Sequence, residues 1–301
     1  MTTLRQTRRA MACEFEMILS GPDPAYLEQV ADLALDEITR LDGALNCFDP
    51  ASEVSYLNAY AARAPVIVEP SLFELLAVAR DVSRETDGAF DITAGPLIDL
   101  WRKAERTGRE PPSEAIGAAL TRVGMEHVTL DESSNSIQFD REGVSINLGA
   151  VGKGYAVRRA VEIIREYGIE SALVSAGKST VYGLGTQPDG EPWRIGIRHP
   201  DRLDERVAAV EPRDEAMSTS GGPRQRDAAV EERFEHIIDP VTGRPAQTDL
   251  ISATVITPDP ALSDALSTAF YLRGRAFALD YCRAHEGVRA LLVEAVGEGE
   301  F

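Results

Sequence analysis

Residues 171–184 read SALVSAGKSTVYGL, two short alternations of apolar and polar residues joined by AGKST. No other stretch constrains the fold as much, because AGKST carries the ending of a nucleotide-binding P-loop, and a P-loop must lead into a helix. The full pattern also needs a glycine five residues before Gly177, and Ala172 stands there. Downstream, Lys178 to Leu184 keeps the period of two that marks a strand, with β-branched and aromatic residues, and Gly185 closes it. Two strands around a tight turn exclude a P-loop and predict an antiparallel hairpin, with Lys178 facing water or set against a phosphate.

The neighbouring segments agree. Stretches near 193–198, 206–211 and 215–219 read as further antiparallel strands, and those at 126–131, 135–140 and 143–148, broken by DESSN and DREG, as a strand meander. Helical spacing of Leu27, Val30, Leu33, Leu35, Ile38 and Leu41 predicts an amphipathic helix from Pro24 to about Leu45, and a second runs from Ser71, its expected cap, to Thr86. GAFDITAGPLIDLW suits a tight loop and short helix around Trp101, and residues 102–115 a solvated surface connection. INLGAVGKGYAVRRAVEIIREYG passes from a strand through a glycine turn into a helix that ends at Gly168. Residues 220–233 read as a mobile loop by composition. A strand at 250–256, helices at 260–272 and 274–284 and a strand at 287–294 complete the chain. The expected fold is α+β: a single large domain over residues 1–301, mostly antiparallel sheets with flanking helices, with a helical lobe at about 24–125.

With 301 residues, 44% hydrophobic and 27% charged, the chain can bury a large core. Its formal charge of −18, from 49 acidic and 31 basic residues, argues against a nonspecific grip on nucleic acid or anionic membrane. No stretch approaches the roughly 20 apolar residues that span a bilayer, and the N-terminus lacks an apolar signal-peptide core. The expected location is cytoplasmic. Cys13, Cys47 and Cys282 are too few and scattered for a disulfide framework or zinc site. The basic residues are arginines except for Lys103, Lys153 and Lys178, two of which lie in glycine-containing turns, where a compact point charge differs from a guanidinium fork.

Three segments offer chemistry. In ALSDALSTAF, Asp264 and Thr268 are four apart and share one helical face; a carboxylate and a hydroxyl aimed together suit a hard cation such as Mg²⁺, while Asp264 alone also suits a first-turn acid favoured by the helix dipole. In HIIDPVTGRP, His236 suits a general base or a strand-end residue, and Asp239 before Pro240 is ordinary turn chemistry. INLGAVGKGYA has the wrong spacing for a P-loop, and Gly154 replaces the Ser or Thr that would hold Mg²⁺, but its glycine turn presents backbone amides at a helix start, a seat for phosphate.

RAMACEFEM (9–17), FDPASEVSYLN (48–58), DGAFDITAGPLIDLW (87–101), LGAVGKGYAV (148–157), STSGG (218–222), HIIDPVTGRP (236–245) and SDALSTA (263–269) occur in the order seen in the ApbE family, the FAD:protein FMN transferases, which the chain resembles over nearly its whole length. The resemblance implies Mg²⁺-dependent transfer of FMN from FAD to a threonine or serine hydroxyl of a target flavoprotein, releasing AMP. It implies Mg²⁺ ligands at the carbonyl of Ala150 and the side chains of Asp264 and Thr268, and a base at His236. FAD contacts are implied at Met11, Asp91, Thr93, Lys153, Gly177, Lys178 and Asp239. The implied partners are FAD and an acceptor flavoprotein with a Thr/Ser flavinylation motif, with no nucleic acid and no membrane insertion. Three positions depart from the family pattern: Gly177-Lys178-Ser179 where many members carry Gly-Gly-Asp or Gly-Gly-Ser, Arg158 in place of an aspartate, and Asn147 in place of an acid. Two other functions share the same binding chemistry, an FAD pyrophosphatase giving FMN and AMP, and a non-catalytic FAD-binding protein.

Overall fold

The computed structural model describes residues 1–199, 204–221 and 237–295. In chain order, the elements are β1 (Thr2–Ala10), β2 (Cys13–Gly21), α1 (Pro24–Leu45), α2 (Glu53–Tyr60), β3 (Val66–Ile67), α3 (Pro70–Glu85), α4 (Gly95–Thr107), α5 (Ser113–Leu120), β4 (Val128–Asp131), β5 (Ser136–Phe139), α6 (Gly152–Glu166), β6 (Ser171–Ala176), β7 (Thr180–Leu184), β8 (Ile195–Arg198), β9 (Arg206–Val210), β10 (Glu215–Gly221), β11 (Leu250–Thr257), α7 (Pro260–Ala284) and β12 (Arg289–Glu294). The fold is α+β with antiparallel sheets.

Two compact units divide the chain. The first gathers Met1–Leu41 with stretches starting at Lys153 and at Thr248, and the second holds Asp42–Gly152 and a stretch ending at Gln247. The first is built on a seven-stranded sheet in the order β1-β2-β6-β7-β10-β11-β12. Strand β2 shows why such segments are strands: Phe15, Met17 and Leu19, at period two, are fully buried. All eight residues of β11 are buried. One of its faces packs under α7, and Ile256 on the other joins Ile197 and Met217 in a cluster beneath the β8–β9 hairpin. In α1, Leu27, Val30, Leu35, Ile38 and Leu41 form the buried stripe that their spacing predicts, while Leu33 is exposed. Helix α7 reads as two helices meeting at Gly274, whose backbone is non-helical (φ 77°, ψ −173°).

The second unit carries α2 to α5 and the sheet β3-β5-β4. Its core includes Leu97, Trp101, Ala104, Ile116 and Ala119, and the Trp101 indole donates to the carbonyl of Gly243 at 2.8 Å.

The structure corrects several local readings. Residues 143–148 are not a strand. Asn58 grips Ile146 at both its N–H (2.7 Å) and its carbonyl (2.9 Å), and the Asn147 N–H reaches the carbonyl of Ile92, so side-chain and loop bonds replace a ladder. Residues 102–115 are not a surface connection, since α4 continues to Thr107 before Gly108 (φ 65°) stops it and α5 begins at Ser113. Ser71 is not a cap: Pro70 occupies the first turn of α3, where its fixed φ suits the helix, and Glu69 precedes it. Strands β1, β2 and β3 and helix α2 lie where the sequence suggests no element. The β1–β2 hairpin hides because β1 is a sheet edge dressed with Arg5, Arg8 and Arg9, and α2 is one short helix capped by the Ser52 hydroxyl.

Candidate functional site

The AGKST segment is the turn of an antiparallel hairpin: Ala176 pairs with Thr180, Gly177 takes a left-handed backbone (φ 60°) and the Lys178 side chain is exposed. Beside it, the Gly177 N–H donates to the carbonyl of Glu14 at 2.8 Å. Met11 stands at the tip of the β1–β2 hairpin, where both turn residues, Met11 and Ala12, have left-handed backbones (φ 48° and 59°).

Asp264 is the best-defined feature of the first unit. Helix α7 starts at Pro260 and is capped by Asp259, so Asp264 lies past the first turn and does not compensate its own helix. It serves another helix instead. The N–H of Gly154, an orphan donor of the first turn of α6, bonds to Asp264 Oδ2 at 2.9 Å. A Cβ on residue 154 would sit 2.2 Å from the carbonyl oxygen of Pro260 and 2.7 Å from Asp264 Cβ. Glycine here is thus required by close helix approach, and this also accounts for its standing where a P-loop would have Ser or Thr.

Asp264 is only 5% exposed as a residue, and burial pushes its pKa up, while the positive charge of Lys153, the Gly154 N–H and the Thr180 hydroxyl, 3.3 Å from Oδ1, hold it down. Thr268, four residues on, is half-buried on the same helical face, with Oγ1 at 3.0 Å from Ser220 Oγ. No group of three His, Cys, Asp or Glu side chains placed to hold a metal occurs among the described residues. The donor set around α7 is instead a buried carboxylate and a hydroxyl, which fits a hard cation completing its shell with other oxygens.

In the second unit, Asp91 and Thr93 form one network. Asp91 Oδ1 accepts from the Thr93 N–H (2.8 Å) and hydroxyl (2.6 Å), Oδ2 from the Met125 N–H (3.1 Å), and Thr93 Oγ1 from the Gly124 N–H (2.7 Å). Thr93 is fully buried. Both side chains therefore shape the loop that leads into α4, and burial raises the Asp91 pKa against the pull of Thr93 and Met125. Asp239 accepts from the Val241 N–H and the Thr242 hydroxyl, each at 2.9 Å, which is the turn chemistry expected before Pro240. Asp91 and Pro240 line a common cavity of about 490 Å³ with Arg80, Arg84 and Glu126. Ala150 lies two residues before α6, half-buried, and belongs to this unit, whereas Asp264 and Thr268 belong to the other. His236 lies outside the described residues, as does most of the loop read at 220–233.

The departures at Arg158 and Asn147 have local explanations. Arg158 pairs with Glu162 at 3.0 Å and reaches the α7 cap Asp259 at 3.4 Å, and Asn147 accepts from the Gly149 N–H at 2.9 Å. The hydroxyls packed around Asp264 and Thr268, those of Thr180, Ser218, Ser220, Ser263 and Ser267, have no assigned role in the sequence reading. Their signal is present in it: serines at period two in STSGG and at helical spacing in SDALSTA.

No helix among the described residues is long and apolar enough to cross a membrane. A model of the ApbE family matches residues 11–292. The FAD:protein FMN transferase of Escherichia coli strain K12 is 30% identical over 295 residues, spanning 96% of this chain and 84% of that protein. The one of Treponema pallidum is 32% identical over 259 residues, spanning 80% and 70%. Among solved structures, the flavin transferase ApbE from Vibrio cholerae superposes with a TM-score of 0.84 at 27% identity, covering 99% of this chain and 95% of that one. The ApbE protein from Thermotoga maritima gives 0.84 at 29%, covering 97% and 94%. The chain belongs to the ApbE family.

Proposed function

We propose that this protein transfers FMN from FAD to a threonine or serine hydroxyl of a target flavoprotein, with Mg²⁺ as cofactor and AMP as leaving product. The observation that carries the reading is the pairing of Asp264 and Thr268 on one face of α7, with Asp264 buried and held by the first turn of α6. Similarity to FAD:protein FMN transferases over nearly the whole chain supports it. In the reaction the acceptor hydroxyl oxygen bonds to the FMN phosphorus, the bond from that phosphorus to the oxygen of AMP breaks, and the hydroxyl proton leaves to a base. His236 is the residue proposed to take that proton.

Bound Mg²⁺ supplies charge neutralisation at the pyrophosphate and at the departing AMP. Asp264 and Thr268 would hold it, with the Ala150 carbonyl as the further ligand implied by the family resemblance. Lys153, whose charge acts on Asp264, offers a second positive centre for the pyrophosphate. The test is to incubate the protein with FAD and Mg²⁺, with and without a candidate acceptor, and to assay AMP and protein-bound flavin. AMP together with covalent flavin is expected from the wild type, and neither from Asp264→Ala. AMP without acceptor at the same rate would make the protein a pyrophosphatase, and undiminished AMP release by Asp264→Ala would remove the metal assignment.

A further inference from the structure

We infer that Ser220 is a positioning residue for Thr268, fixing the direction of its hydroxyl proton so that the oxygen is free to accept a cation. The inference rests on the proposal above that Thr268 and Asp264 hold the metal. Ser218 and Ser220, two apart on β10, both face α7: Ser218 reaches Ser263, and Ser220 reaches Ser267 and Thr268.

Proton counting settles the direction of each bond. A serine or threonine hydroxyl has one proton to donate and lone pairs to accept. Ser267 Oγ lies 2.8 Å from the main-chain carbonyl oxygen of Asp264, which can only accept, so the Ser267 proton points there. In the 2.7 Å contact between Ser220 and Ser267, Ser220 is then the donor. With its one proton placed, Ser220 can only accept in the 3.0 Å contact with Thr268, so Thr268 donates to Ser220. The Thr268 proton is turned toward β10, and the remaining lone pair of Oγ1 is left for another partner. A hydroxyl that ligates a cation needs this arrangement, because its proton must point away from the positive charge.

The relay begins at the backbone of Asp264, whose side chain is the other proposed ligand, so the orientations of both ligands are tied through three hydroxyls. At the neighbouring serine the same counting gives a different result. Ser263 donates to the carbonyl of Pro260 at 3.0 Å, so Ser218 donates to Ser263 at 2.7 Å and its 3.4 Å approach to Thr180 is residual. Thr180 keeps its proton for Asp264. Among the described residues, Ser220 is the one whose hydroxyl reaches Thr268.

The test is Mn²⁺ binding, followed by electron paramagnetic resonance in the presence of FAD, for wild type, Ser220→Ala, Thr268→Ala and the double variant, with metal-free thermal unfolding as the check on folding. Ser220→Ala is expected to weaken Mn²⁺ binding about tenfold, the lower end of what supporting partners of metal ligands contribute. In the Thr268→Ala background the same change is expected to have no further effect. Unchanged affinity in Ser220→Ala, or an equal loss in both backgrounds, overturns the relay while leaving the metal site standing. Failure of the wild type to bind Mn²⁺ with FAD present overturns the metal reading and the relay together.

Discussion

The main-chain N–H of Gly154 donates to Asp264 Oδ2 at 2.9 Å, and through this one carboxylate the first turn of α6 is joined to the second turn of α7. The carboxylate satisfies an amide that has no partner in its own helix, and the absence of a Cβ lets the helices meet. Gly154→Ala would place a methyl 2.2 Å from the Pro260 carbonyl oxygen, a clash with backbone that no rotamer relieves. The expected cost is about 2 kcal/mol of stability, within the range for overpacking, read from urea denaturation. A loss below about 0.5 kcal/mol would show that the helices separate freely there.

Asp264→Ala removes the acceptor of that amide as well as the proposed metal ligand. The Gly154 N–H, in a buried residue, is left without its partner, which costs about 1–3 kcal/mol. Asp264→Asn keeps an acceptor oxygen and is expected to retain most of the stability while losing Mg²⁺-dependent AMP release. Comparison of the two by denaturation and activity separates the structural from the chemical part of the residue. Equal stability of the two variants would contradict the capping role.

How much of this was legible in the sequence follows from the range of the interactions. The hairpin at 171–184 and the α7 pattern are local periodicities, and they read correctly because alternation and helical spacing are imposed by burial of one face. The segment 143–148 has the same alternation, but among the described residues its pairing is a single bridge from Ser145 to Ala94, and Asn58, far away in sequence, takes the backbone bonds of Ile146. In the sequence Asp264 suits either a metal ligand or a first-turn acid of its own helix, and the three-dimensional approach of Gly154 shows that the helix it caps is a different one. The hydroxyls of STSGG lie in plain view, yet their partners are about 45 residues away, and a one-dimensional pattern carries no such pairing.

The β1–β2 turn holds two L-residues in left-handed backbone, Met11 and Ala12. Such a conformation costs roughly 1–2 kcal/mol for a residue with a Cβ, and glycine removes that cost while adding about 0.5–1 kcal/mol of unfolded-chain entropy. Ala12→Gly is therefore expected to stabilise the protein by about 0.5 kcal/mol in equilibrium denaturation. A destabilised variant would mean that the Ala12 methyl makes contacts outweighing the strain.

Glu37 ties α1 to α6: it accepts from Arg40 at 2.7 Å and faces Arg159 at 3.6 Å, with a side chain 14% exposed. The hydrogen bond from Arg40, followed by the charges of Arg40 and Arg159, outweighs burial and holds its carboxyl below the usual 4.5. A carboxylate with a depressed folded pKa adds stability above its unfolded value and loses it as pH falls through the folded one. Glu37→Gln is expected to cost about 0.5 kcal/mol at pH 7, as partly exposed ion pairs do, with the gap to wild type closing as pH falls below the unfolded 4.5 and through the lowered folded value. The measurement is the difference in Tm between the two proteins across pH 3 to 7. A gap that stays constant over that range would show that the pair does not act through charge.

Lys178 stands exposed on the turn between β6 and β7, next to the left-handed Gly177. An exposed ammonium acts as a screened charge, worth at most about 1 kcal/mol and falling with ionic strength. Lys178→Ala is expected to leave stability within about 0.5 kcal/mol of wild type and to weaken FAD binding by less than about fivefold at low salt. The difference in affinity should disappear when salt is raised to about 1 M, where the screening length is near 3 Å. Fluorescence titration of FAD at two salt concentrations reads this directly. A loss that persists at high salt would instead assign Lys178 a direct, desolvated bond to the pyrophosphate.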